Sequence, residues 1–171
     1  MDILEAIKGR RSIRRFKVTP LPSPFLSTLE DSLLEAPSAG NLQSRRFYFI
    51  FRDETKKRIA RAAYHQDFIQ DAPLVVVGCA NLKIADHYGE RGSSLYCLQD
   101  VAASIQNLML AAYSLGLGTV WVGAFDEKDV GKILNLPYDI RPVAVVPVGY
   151  PDENPPPPER FRKERVIFHL R

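Results

Sequence analysis

The chain has 171 residues, enough for one domain with a real core, and its 46% hydrophobic and 25% charged residues exclude a disordered or fibrous protein. The formal charge of +3 is too small to name a partner, so what counts is where the arginines sit. Cys79 and Cys97 lie far apart in apolar contexts and read as buried free thiols of a reducing compartment, and the three histidines have no ligand spacing, so no metal is expected. Residues 1–8 carry charges with no apolar run behind them, and nothing approaches the roughly 20 apolar residues of a spanning helix; the expectation is a cytoplasmic protein.

In chain order, Asp2 can cap a short helix over residues 3–7 that ends at Gly9. The run Arg10-Arg11-Ser12-Ile13-Arg14-Arg15-Phe16 follows at once. Ser23 and Pro24 read as N-cap and first residue of a second helix through Leu26, Leu29, Leu33 and Leu34. Pro37 stops it, and the small-residue loop Ser38-Ala39-Gly40-Asn41 comes next. Residues 46–52 are aromatic and β-rich and predict a strand. Asp53 caps a basic helix over 54–63. Residues 74–80 are continuously apolar, hence a strand buried on both faces.

The longest predicted helix spans about 94–114. Leu95, Leu98, Val101, Ile105, Leu108 and Met109 recur at three- and four-residue steps. Ala102, Ala103, Ala111 and Ala112 add a small-residue face, so both faces are expected to be buried, one of them in a subunit interface. Gly116 and Gly118 end the helix, residues 119–122 form a strand, and Asp126 caps a helix through Val130 and Leu134. Residues 142–148 are a fourth strand, whose prolines place it at a sheet edge or terminus.

The tail changes character. Residues 155–158 are four prolines that favour an extended spacer. A basic cluster follows, Arg160, Arg162, Lys163 and Arg165, and then a strand-like terminus, residues 166–170. A stiff spacer carrying a strand can cross to another subunit and pair there. The elements make one α+β domain over residues 1–171, helices dominating, with a four- to five-stranded sheet and residues 152–171 as an extended tail.

The chemistry-bearing residues fall in three groups. Guanidinium forks bind phosphate bidentately and a serine hydroxyl adds a donor, so Arg10, Arg11 and Ser12 form one candidate phosphate patch and Arg162 with Lys163 a second. No Gly-x-x-x-x-Gly-Lys-Ser/Thr loop is present, and Gly116-x-Gly118 follows a helix, so neither a P-loop nor a dinucleotide fingerprint is supported. Asn41 and Gln43 offer the donors and acceptors that a flat polar ring needs, beside a glycine that lets backbone come close. Gly123 and Ala124, after the third strand, can present backbone N–H groups. An anionic end plus a polar ring is the outline of a flavin mononucleotide (FMN) site. No Ser-His-Asp order and no isolated carboxylate pair appears, which fits chemistry that belongs to a cofactor.

These residues resemble the nitroreductase family of FMN-dependent oxidoreductases over nearly the whole chain. The resemblance rests on Arg10 to Phe16, on Ala36-Pro37-Ser38-Ala39-Gly40-Asn41-Leu42-Gln43, on residues 100–107 and 115–125, and on Pro147-Val148-Gly149-Tyr150-Pro151 with Arg162-Lys163. It implies a nitroreductase-like fold, with a mixed, mostly antiparallel sheet flanked by helices. It also implies a homodimer with FMN in the interface and a C-terminal tail exchanged between subunits. By similarity, Arg10, Arg11 and Ser12 hold the phosphate and Arg162 and Lys163 close it. Arg14 lies near N1 and O2, where a cation stabilises the charge of the reduced ring. Pro37, Ser38 and Ala39 line the ring, Asn41 and Gln43 bond ring or ribityl oxygens, and Gly123 and Ala124 face N5 and O4. No protein side chain is expected to be catalytic.

The activity implied is electron transfer from NADH or NADPH to nitroaromatic, quinone or related small acceptors by ping-pong kinetics. Two departures stand out. Ser44-Arg45 replaces the family's frequent Pro-aromatic pair, and the helical insert over the flavin is missing or short around residues 63–73, so a more open site is expected. Arg45 reads first as a surface arginine, second as a contact for an anionic acceptor. Alternatives are a non-catalytic flavin-binding protein, or another reaction on the same fold such as dehalogenation or flavin fragmentation. A nucleic-acid binder using the arginines with Phe16, Phe47 and Tyr48 is a further alternative; it and a membrane partner are not expected.

Overall fold

The structure, a computed structural model, describes residues 1–170. Four strands form one antiparallel sheet in the order β1-β2-β4-β3: β1 Arg45–Ile50, β2 Leu74–Asn81, β3 Gly118–Thr119 and β4 Ile140–Gly149. β2 is continuously buried from Leu74 to Ala80, as its unbroken apolar run requires. Its alternation divides the core in two. Leu74, Val76 and Ala80 face helices α2 (Ser23–Leu34) and α6 (Cys97–Ser114), while Val75, Val77 and Cys79 face α3 (Asp53–Ala62) and α7 (Glu127–Ile133). Each such side chain contributes roughly 1.5–3 kcal/mol by leaving water. Three short helices complete the chain: α1 (Ile3–Gly9), α4 (Phe68–Asp71) and α5 (Ala85–Arg91).

Several boundaries differ from the sequence reading, each for a local reason. Ser23 does not cap α2; Pro22 does, without a side-chain bond, and Ser23 and Pro24 are the first two helical residues. Asp53 likewise sits inside α3 and pairs with Lys56 Nζ at 3.1 Å. The long helix starts at Cys97, because residues Gly92–Tyr96 form a π-helical turn. Its small-residue face, with Ala102 and Ala103, remains half-buried in the single chain.

The largest correction concerns β4, which is central rather than an edge strand, in spite of its prolines. Val145 exchanges both backbone hydrogen bonds with Val122, at 2.9 and 3.0 Å, so its nitrogen points towards the β3 side. Pro147, two residues on, points the same way, into the stretch between Thr119 and Val122 where the ladder lapses. Pro142 sits beside a bulge, where the register shifts between Gly78 and Cys79. Each missing donor therefore falls where no partner waits. The same lapse shortens the third strand to two residues. In the single chain residues 166–170 are exposed and form no strand.

Candidate functional site

The arginine run is held from both sides. A capping box at Asp2 and Glu5 starts α1, and the Arg10 N–H closes it on the Ala6 carbonyl at 3.0 Å. Arg11 Nη1 then donates to the carbonyls of Lys8, Gly9 and Arg10 at 2.7, 3.0 and 2.9 Å, a cation on the negative end of a helix. The Ile13 N–H reaches the Thr119 carbonyl at 3.0 Å and Ser12 bridges Thr119. The approach is possible because residue 118 is glycine: a Cβ there would lie 2.7 Å from the Ile13 side chain. On the other side Glu153 accepts from the Arg14 and Arg15 N–H groups, and the Asp152 N–H donates to the Arg15 carbonyl at 2.9 Å.

This second clamp aims the proline spacer back over the arginines. Pro155, Pro156 and Pro158 enclose a cleft of about 340 Å³ with Arg10, Arg11, Ser12, Arg14 and Arg160. Burial, and then the like charges of Arg160 and Arg11, lower the Arg10 pKa from its ordinary value. Arg10 Nη1 is buried with no partner, one of three such side-chain atoms among the described residues and the only charged one. A desolvated cation without an acceptor is costly, and an anion relieves it. Arg162 and Lys163 are exposed, beyond the cleft lining, at a 3-10 turn. The basic tail residue that lines the cleft is Arg160, which the sequence places in a basic cluster but not at the site.

The small-residue loop is built around two buried charges. Asp100, on α6, accepts from the Ala39 N–H at 2.9 Å and from Ser44, whose hydroxyl and N–H lie 2.6 and 3.3 Å away. Arg45 is buried rather than a surface arginine. Its guanidinium donates to the carbonyls of Leu34, Ala36 and Pro37 at 2.8, 2.9 and 3.2 Å, tying off the end of α2. Burial lowers the Arg45 pKa and the Asp100 charge opposes that. Ser44-Arg45 is thus a structural clamp.

The clamp enforces a tight backbone. Gly40, Asn41 and Gln43 all take left-handed φ, 55°, 54° and 50°, and the Gln43 N–H donates to Ser38 Oγ at 3.1 Å. Pro37, Asn41 and Gln43 are exposed, Ser38 and Ala39 half-buried. At Gly40 the left-handed φ suits glycine, and an added Cβ would press on the Tyr88 hydroxyl and force that side chain to shift.

Gly123 and Ala124 are exposed after Val122, and among the described residues neither N–H has a backbone acceptor. Gln66 Nε2 donates to the Ala124 carbonyl at 3.0 Å, and the Arg14 guanidinium lies 6.0 Å from the Phe68 ring centre. Arg14, residues 66–68 and Ala124 are therefore neighbours. Among the described residues no hydrogen bond joins residues 37–43 to this region. A groove of about 510 Å³ lies between α2 and β1, lined by Leu33, Leu34, Gln43, Phe47, Tyr48 and Phe49 among others. Among the described residues no cluster of His, Cys, Asp and Glu could hold a metal, and no helix is long and apolar enough to cross a membrane. Cys79 and Cys97 are free and buried.

Comparison with known proteins gives these features a context. The sequence matches the nitroreductase family over residues 7–66 and 57–150. A Thermus thermophilus protein named NADH dehydrogenase is 32% identical, over 98% of this chain and 96% of its own. An NAD(P)H-dependent FMN reductase of Bacillus subtilis is 27% identical, over 96% of this chain and 72% of its own. The NADPH:FMN oxidoreductase of Vibrio harveyi, solved with NAD+, superposes with a TM-score of 0.91 at 26% identity, covering 99% of this chain and 77% of that one.

Proposed function

The chain belongs to the nitroreductase family, and from that premise we propose that it is an FMN-dependent NAD(P)H oxidoreductase acting on small planar acceptors such as nitroaromatics and quinones. The observation that carries the reading is the arginine cleft with its unpartnered Arg10 Nη1. A phosphate in that cleft would relieve the mutual repulsion of Arg10, Arg11 and Arg160 and give the desolvated guanidinium of Arg10 a counter-charge. Ser12 adds a hydroxyl, and Arg162 and Lys163 extend the basic rim. The residues present thus fit the charged end of FMN.

Arg14 would stand at the N1 and O2 edge of the ring, as a fixed cation in a partly dry site. Gly123 and Ala124 would turn their free N–H groups to N5 and O4. Pro37, Ser38 and Ala39 would cover the ring, with Asn41 and Gln43 bonding its oxygens. Bound FMN supplies the two-electron chemistry, taking electrons from NADH or NADPH and passing them to an acceptor. Donor and acceptor would use one face in turn, hence ping-pong kinetics. The residues of the chain bind, orient and exclude water.

Among the described residues, those at 37–43 do not line the arginine cleft, which favours a homodimer in which each flavin takes its phosphate site from one subunit and part of its ring lining from the other. Two further features support it. Phe161, Ile167, Phe168 and Leu170 are apolar yet at least half exposed, and β1 is an edge strand beside an apolar groove. A tail crossing to the partner's groove would cover both.

The experiment is reconstitution of apoprotein with FMN and, separately, with riboflavin, which lacks the phosphate. FMN is expected to bind at least about 100-fold more tightly, as two or more charge-assisted hydrogen bonds imply, and its visible band should bleach with NADH or NADPH under anaerobic conditions. Arg10→Met should bring the two affinities together. Equal binding of FMN and riboflavin by the unaltered protein would remove the phosphate assignment.

A further inference from the structure

We propose that Tyr64 and His65 form the wall on which the planar acceptor lies, an assignment that rests on the flavin reading above. Both residues take the left-handed backbone conformation, at φ 57° and 60°. One left-handed residue ends many helices and is usually glycine. Two in succession, filled by tyrosine and histidine, exceed what stopping α3 requires, and such conformations persist only where the surroundings impose them. Here the Tyr64 N–H donates to the Arg61 carbonyl at 3.1 Å, and the Gln66 amide grips the Ala63 and Ala124 carbonyls at 2.9 and 3.0 Å. The Asp126 N–H adds a bond to the Ala62 carbonyl at 2.8 Å.

The imposed conformation gives no folding benefit that the side chains share. Tyr64 is 67% exposed and His65 is exposed too. What the conformation does is place them. Gln66 anchors the turn to Ala124, beside the N–H groups assigned to N5 and O4. Two residues on, Phe68 lies under Arg14, assigned to N1 and O2. Tyr64 and His65 therefore project from a segment tied to both of those elements. A phenol ring offers a flat apolar face to a planar aromatic, and the imidazole offers a hydrogen bond to a quinone or nitro oxygen.

The test uses FMN-loaded protein and 4-nitrobenzoate without an electron donor, so that binding is read from the change in the visible flavin band and no turnover occurs. Tyr64→Phe should keep the affinity within about twofold, and Tyr64→Gly should weaken it about tenfold, the worth of one aromatic stack. Glycine also relieves the left-handed strain, so the Tm of Tyr64→Gly should stay level or rise. His65→Ala should weaken binding severalfold with FMN content unchanged. An unchanged affinity in FMN-loaded Tyr64→Gly makes the segment a mere turn and overturns the proposal. Failure of the unaltered protein to take up FMN overturns the flavin reading itself, and this inference with it.

Discussion

Asp100→Asn probes the buried carboxylate that sets the ring loop. Asp100 is 3% exposed, and its two oxygens serve three donors: the Ala39 N–H and the hydroxyl and N–H of Ser44. An amide in the same place keeps one oxygen for Ala39 but turns an NH2 towards Ser44. The Ser44 hydroxyl can rotate and accept; the Ser44 N–H cannot, and is left facing a donor. A hydrogen bond to a charged group contributes about 1.5–3 kcal/mol. Losing one, and weakening two to neutral strength, costs about 2–4 kcal/mol. The buried Arg45 guanidinium also loses the negative charge that favours its ionised form. For a domain of this length each kcal/mol moves Tm by about 2–4 °C, so melts followed by circular dichroism should show a fall of roughly 5–15 °C. Ser44→Ala and the double variant complete a cycle, and the shared hydrogen bonds should give a coupling of about 1 kcal/mol or more. A Tm within about 2 °C of the parent, or additive single effects, would show that this carboxylate does not hold the loop.

Other outcomes follow from single contacts. Gly40→Ala places a Cβ against the Tyr88 hydroxyl at φ 55°; it should cost at least about 1–2 kcal/mol and, if the loop lines the flavin, lower the FMN content of the purified protein. Arg45→Met strips donors from three carbonyls at the end of α2, and urea titration should read a loss of about 2–4 kcal/mol. Burial pushes the Cys79 thiol from 9.0 up to about 12. Because this folded value lies above the unfolded one, the thiol ionises first in the unfolded chain. Its contribution is complete below about pH 9 and is lost as pH rises towards 12. Denaturation midpoints taken in that range should fall less steeply for Cys79→Ala, and native protein at pH 8 should show no fast thiol titration at this residue.

The elements were legible wherever one physical cause acted over a short stretch. The apolar run of β2, the cap at Asp2 and the helical steps of α6 each carry their signal within a few neighbours, and the structure has them. Reading failed where a local rule met a distant partner. Prolines argued for an edge strand, but β4 became central because each missing N–H fell at a lapse in the ladder that only strand packing could create. Arg45 looked like a surface charge because nothing near it in sequence announces the three carbonyls it ties together. Tyr64 and His65 gave no signal, since left-handed backbone at non-glycine residues has no composition of its own.

The same division separates the motifs from the site. The sequence alone determined that an arginine run and a small-residue amide loop exist, and with them the resemblance to an FMN enzyme, because residue type and short spacing carry that chemistry. Tertiary structure decided what those pieces touch. Asp100 meets Ser44 and Ala39 across 56 and 61 positions, and Arg160 enters the Arg10 cleft from the far end of the chain. Contacts at such separations follow no periodicity; they exist because packing two helix layers on one sheet brings remote polar groups into a dry interior, where each must find a partner or remain, like Arg10 Nη1, unpaired.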